Sequence, residues 1–376
     1  MIHNIAERES GIPDAGAARS RGLPGRTRRI APPVRSALDV EALSVTRPAQ
    51  DSWASTLFRE LGSQDWLIFG YFTLMFLAVL FGLGPRRGES LLLVGTELGI
   101  LSLGLAVSRG GVLARGTFSG TLVYRLTVFG TVVSSYFLLR LILPAVSSRA
   151  VDGHLFAFDM SVLRVEPSLA WDKFVTPVTT EWFAFFYFGY FFVLAVHVLP
   201  FLLFVKRSDI AARFALGIFM VFCLGHLGYM VVPGFGPYRY LAIEFHHELT
   251  GGFFWGLVKE TVEVGGAQKD IFPSLHTAVP TFFAFFSFRF HQSFRPFRYT
   301  WPLVGFVAVQ IIFATMFLRW HYLVDIFAGL ALAALSVWAS DRVVTWETAR
   351  RARLGLSPSW PGLNWPAHWS SFVSKR

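Results

Sequence analysis

The chain has 376 residues, 53% of them hydrophobic and 15% charged, against roughly 25% charged in soluble domains. Its formal net charge of +10 would suit nucleic acid, but the basic residues gather in the tails and short loops, as on the inner side of a membrane protein, so nucleic acid is excluded as a partner. One cysteine, Cys223, excludes an intrachain disulfide.

Residues 1–52 are rich in Arg, Pro, Ala, Gly and Ser and are expected to form a disordered basic cytoplasmic tail. About eight apolar runs follow, each near the ~20 residues that a membrane span needs: 65–84, 90–107, 121–144, 181–204, 211–232, 273–290, 302–318 and 322–340. The fold class is accordingly all-α, a polytopic membrane helix bundle. Residues 53–144 read as N-terminal membrane helices, 145–340 as the catalytic membrane core, and 341–376 as a second cytoplasmic tail. Arg125 and Arg140 lie near the ends of the third run, from which they are expected to snorkel to the headgroups. With the N-terminal tail inside, the inner segments carry Arg109, Arg115, Lys206, Arg207, Arg213, Arg289, Arg295, Arg298, Arg342, Arg350, Arg351 and Arg353. The outer loops are mixed or acidic, apart from Arg86 and Arg87, so both termini are expected in the cytoplasm.

Two outer segments, 145–180 and 234–271, are too long for turns and carry aromatics such as Phe253, Phe254 and Trp255. They are expected to form short interfacial helices over a site at the outer face. The Phe-rich stretch 282–290 reads as lipid-facing surface. His226, inside a span, suits either a pocket wall or an interhelical hydrogen bond. His246 and His247 beside Glu248 read as solvated loop residues rather than metal ligands.

Three short stretches carry chemistry. In Arg319-Trp-His321-Tyr-Leu-Val-Asp325, a spacing of four puts His321 and Asp325 on one helical face. The carboxylate can then orient the imidazole as a nucleophile or base. In Phe272-Pro-Ser274-Leu-His276, the proline suits a helix start, so Ser274 and His276 fall in a first turn whose free N–H groups favour an anion. Forty-five residues separate His276 from His321, enough for two spans and a turn, which returns both to one face. The turn Pro233-Gly-Phe-Gly-Pro-Tyr238-Arg239 belongs to that face too, and Arg239 can offer phosphate a planar fork of donors.

Pro-Ser-x-His followed by His-x-x-x-Asp resembles the type 2 phosphatidic acid phosphatase superfamily, and the fuller strings are similar to its inositol phosphorylceramide synthase-like branch. The resemblance spans about 232–330. It implies a six-helix phosphatase-like core and two-step phosphoryl transfer with no metal and no other cofactor. His321, oriented by Asp325, would attack phosphorus and form a phosphohistidine; His276 would protonate the leaving oxygen and then act as base for the acceptor. The superfamily's usual Lys-x6-Arg-Pro motif is absent, and Thr315 stands where an Arg usually precedes the second His. Phosphate binding is therefore expected from Arg239, with Tyr238 and Ser274, and behind them Lys269 and Arg319. The expected substrate is a phospholipid or lipid phosphate in the bilayer. Transfer to a lipid or polar acceptor is the expected reaction, favoured by the long outer loops as an acceptor-binding lid, with hydrolysis by water as the alternative; the oligomeric state is left open. A transporter with a His/Asp relay and a metal-dependent hydrolase are the alternatives that the bare residues allow.

Overall fold

The computed structural model describes residues 52–162, 164–265 and 269–364; the expected N-terminal tail to residue 51, and the chain beyond 364, lie outside the described residues. Among these, thirteen α-helices and no strand occur: α1 (Trp53–Glu60), α2 (Ser63–Phe81), α3 (Arg87–Arg109), α4 (Phe118–Val146), α5 (Asp152–Val162), α6 (Pro167–Ala170), α7 (Pro177–Leu203), α8 (Ser208–Val231), α9 (Pro237–Tyr240), α10 (Phe253–Gly265), α11 (Leu275–Phe290), α12 (Arg295–Phe317) and α13 (Leu323–Leu354). The protein is a polytopic helical bundle.

Seven helices, α2, α3, α4, α7, α8, α12 and α13, are long and apolar enough to cross a membrane. They coincide with seven of the eight expected runs. The eighth, α11, has 16 residues, a length of roughly 24 Å. It sits at the centre of the second half, packed against α7, α8, α12 and α13. That position corrects the reading of 282–290 as lipid-facing. Phe282, Phe283 and Phe286 are fully buried, and only Phe285 and Phe288 face outward, because the helical period splits a continuous aromatic run between two faces.

Arg125 does not snorkel. It is fully buried, donates to the carbonyls of Phe201, Leu202 and Pro361, and lies over the Trp360 ring. The end of α7 leaves carbonyls without helical partners, and the guanidinium caps them. Arg140, by contrast, is exposed and donates to the Val264 carbonyl. Helix α13 continues past residue 340 until Gly355, in the left-handed conformation, ends it. Its last turns join a buried ionic cluster: Arg351 pairs with Glu347 (2.9 Å) and Glu60 (3.5 Å), Arg115 with Glu60 (3.1 Å), and Arg109 with Asp65 (3.0 Å). Three of the basic residues counted for orientation are thus neutralised within the fold.

At the opposite end the two long segments form short helices, α5, α6, α9 and α10, held by carboxylates that accept backbone N–H groups. Asp152 accepts from Phe235 (3.0 Å), Gly236 (2.8 Å) and the Tyr322 hydroxyl (3.2 Å). Seven residues later on the same face, Asp159 accepts from Leu323 (2.6 Å) and Val324 (3.0 Å). These are the orphan amides of the first turn of α13, whose cap position holds Tyr322 rather than a short polar residue. Burial raises the Asp159 pKa, and the two amides oppose that rise. Glu181 anchors α10 on α7 in the same manner, accepting from Gly252 (2.9 Å), Phe254 (2.6 Å) and Trp255 (3.1 Å).

Asp159→Ala is expected to cost about 1.5–3 kcal/mol, the usual worth of hydrogen bonds to a charged group, with Asp159→Asn between it and wild type in thermal unfolding of the detergent-solubilised protein. Arg125→Met should likewise lower the unfolding temperature, since it strands three buried carbonyls. An unchanged midpoint would show that these contacts contribute nothing.

Candidate active site

The two histidine motifs meet through their backbones before their side chains meet. Ser274 caps α11, its hydroxyl accepting from the Thr277 N–H (3.2 Å). Its own N–H donates to the Asp325 carbonyl (3.1 Å). This approach needs Gly329 of α13, where an added Cβ would come within 2.7 Å of the Ser274 carbonyl oxygen. On the other strand of the site, the chain leaving α12 folds back so that the N–H groups of Trp320 and His321 both donate to the Thr315 carbonyl (2.9 and 3.3 Å). Gly236, at φ +90°, lets the 233–238 turn press against Trp320: a Cβ there would meet the Trp320 carbonyl oxygen at 2.3 Å.

The side chains so placed form a linked set. His321 Nδ1 lies 3.4 Å from Asp325 Oδ2, which also accepts from the Tyr322 N–H (2.9 Å). The His276 and His321 ring centroids are 6.4 Å apart, a separation that suits a group held between them rather than a direct hydrogen bond. His276 stacks on Tyr187 at 4.3 Å and packs against Tyr190 at 4.3 Å, and its Nε2 is buried with no partner among the described residues. Burial pushes the His321 imidazole down to about 4, against opposing contributions from the Asp270 carboxylate and a hydrogen bond with the Ile271 backbone. The ring is therefore neutral at ordinary pH, with its Nδ1 edge towards Asp325.

Both histidines line a cavity of about 250 Å³ between α4, α7, α8 and α10. Of the residues expected to bind phosphate, Tyr238 lines it, with its ring 4.8 Å from that of Trp320. The others sit elsewhere. Arg239 is exposed, with its guanidinium over the Phe235 ring at 4.0 Å. Lys269 is held by the carbonyls of Ser147, Ser148 and Arg149 at 3.3, 2.9 and 3.2 Å. Arg319 pairs with Asp172 (2.8 Å), donates to the His247 carbonyl and covers Phe245. Ser274 spends its hydroxyl on the helix cap. His226 does not line the cavity either; it bonds Tyr71 (3.0 Å), the interhelical option. His247 pairs with Asp172 at 2.9 Å, and among the described residues no three His, Cys, Asp or Glu side chains converge on a point where a metal would sit.

Sequence reasoning missed Asp270, Tyr136, Tyr187 and Tyr229, all of which line the cavity. Asp270 carries a weak local signal, six residues before His276 and hence at the mouth of the same motif. The tyrosines carry none, being aromatics in apolar runs.

Residues 155–339, which contain both histidines, Asp325, Tyr238 and Asp270, match the family model of the PAP2 superfamily. Comparison with curated proteins and with solved structures finds no match. The segment that builds this site is thus similar to the PAP2 superfamily, whose members are phosphatases and phosphotransferases.

Proposed function

We propose that this protein is an integral membrane phosphotransferase that acts on lipid phosphates or phospholipid headgroups through a phosphohistidine on His321. The observation that carries the reading is the pairing of His276 with the His321–Asp325 dyad across one aromatic cavity. A lipid substrate is supported by the cavity wall, which reaches the apolar exterior: Phe137 of α4 and Phe191 of α7 both line it and are 58% and 36% exposed. An acyl chain can lie there while the headgroup reaches inward.

His321 Nε2 attacks phosphorus while Asp325 holds Nδ1–H, which stabilises the charge that builds on the ring. The N–P bond forms as the ester P–O bond breaks, and the leaving oxygen takes a proton from His276. His276 then accepts the proton of an acceptor hydroxyl, whose oxygen displaces His321 and restores it. A lipid or polyol acceptor gives transfer; water as acceptor gives the phosphatase alternative with the same residues. The shielded space beneath α10 supports transfer. Exposed Arg295, Arg298 and Arg342 at the far end of the bundle, against Asp152, Asp159 and Glu166 at the site end, support cytoplasmic termini and an extracytoplasmic or luminal site.

With a phosphorus-labelled lipid, wild type should carry acid-labile label on His321. His321→Ala should carry none and lose turnover, and His276→Ala should lose about 10²–10⁴-fold in kcat, as for removal of a general acid. Full activity in His321→Ala would sink the mechanism. Release of free phosphate alone, with every offered acceptor left unmodified, would leave the phosphatase. Because the neutral His321 is the nucleophile and its pKa is lowered to about 4, its contribution should be complete above that value and be lost as pH falls through it. The acid limb of a pH–rate profile assigned to His321 is thus expected near 4 rather than near the ordinary histidine value.

A further inference from the structure

The charge lining the cavity is the reverse of what a bare phosphate needs. Among its described lining residues there is no Lys or Arg, and the one carboxylate is Asp270. Around Asp270 stand Tyr136, Tyr187, Tyr229 and Tyr238, all within reach of its field, with Trp320 beside Tyr187 and Tyr238. The nearby cations do not line the cavity: Arg239 lies over Phe235 at its edge, within reach of Tyr238, while Lys269 is held by three carbonyls and Arg319 by Asp172. A phosphate dianion entering this space would meet the Asp270 carboxyl in a largely apolar enclosure with no Lys or Arg among the described lining residues, at a high electrostatic cost. A polyol headgroup would find acceptors on Asp270 but would bring its phosphate charge without a counter-ion.

A headgroup that carries its own cation removes the conflict. An ammonium is attracted to a carboxylate and to the faces of tyrosine and tryptophan rings, most strongly where water is excluded. We infer that the site takes a zwitterionic phosphodiester headgroup, its ammonium held by Asp270 among Tyr136, Tyr187, Tyr229 and Tyr238 and its phosphorus between His276 and His321. This rests on the two-histidine reading for the chemistry, and adds to it a substrate class. Asp270 is then a binding residue that sets headgroup preference. The substrate ammonium supplies the positive charge that no Arg or Lys brings to the cavity. In the first step the His321–phosphorus bond forms and the bond to the diacylglycerol oxygen breaks, which leaves the headgroup phosphate on His321 and the proton of His276 on the departing alcohol.

The purified full chain in detergent micelles is given phosphatidylcholine, phosphatidylethanolamine, phosphatidylinositol and phosphatidic acid of equal acyl composition, each with a panel of lipid and polyol alcohols as acceptors beside water, and diacylglycerol release is followed. The zwitterionic lipids should be favoured in kcat/KM by at least about tenfold, the choline and ethanolamine arms telling a quaternary from a primary ammonium. Asp270→Asn should raise KM for them and narrow that preference, with thermal unfolding as the check on folding. If that variant does not fold, Tyr238→Leu supplies the same readout from the cage wall. Equal or faster turnover of phosphatidylinositol or phosphatidic acid would overturn the headgroup assignment and leave the histidine chemistry standing. Should no lipid be turned over, the catalytic reading falls, and equilibrium binding of fluorescent phosphatidylcholine and phosphatidylinositol decides the headgroup: preference for the choline lipid sustains the inference, and its absence overturns it.

Discussion

Carboxylates that accept backbone amides hold the site end of this protein together. The first turn of α13 has N–H groups with no helical partner and a tyrosine in the capping position. Asp159 takes two of those amides and Asp325 a third. Asp152, two turns earlier on α5, takes the amides of the turn that carries Tyr238. A short helix thereby fixes the relative positions of three loops, because each anchor is a charge-assisted bond in a partly dry setting. His321 is aimed by Asp325, and Asp325 is aimed by the helix start that Asp159 completes.

The cavity behind these anchors joins two kinds of surface that rarely serve one ligand. Near the histidines it is polar and enclosed, and along α4 and α7 it becomes a wall of Val133, Phe137 and Phe191 that continues onto the outside of the bundle. Such a gradient suits the proposed lipid substrate, with its headgroup inward and its chains outward. Stacking between His276 and Tyr187 fixes the plane of the imidazole without using either ring nitrogen.

How much of this could be read in advance differs by kind of residue. Seven spans were visible as length and composition, and the meeting of His276 with His321 as a return path of 45 residues. Their spacing is local, and helix geometry turns it directly into position. Charge was harder to read. Arg125, Arg109 and Arg351 looked like surface cations, and Asp152, Asp159 and Glu181 like solvated outer-loop acids, yet all six find partners in the fold. A residue's partner across 76 or 236 positions leaves no trace in its own neighbourhood. The same holds for Arg239, Lys269 and Arg319, which sit beside the motif in sequence while their side chains are drawn to Phe235, backbone carbonyls and Asp172. Proximity along the chain predicted the address of the backbone and not the direction of the side chain.

The Arg125 contact has a consequence for how the chain assembles. Its partners include the end of α7 and Pro361, 236 residues downstream, with Trp360 buried beneath the guanidinium. During synthesis α4 is complete long before either partner exists, so this cation must wait in a membrane-facing helix with its charge unmatched. Closing so long a loop is entropically modest but late. The segment after α13 is thus a latch set late: this contact closes only after α13 and the residues that follow it have been made.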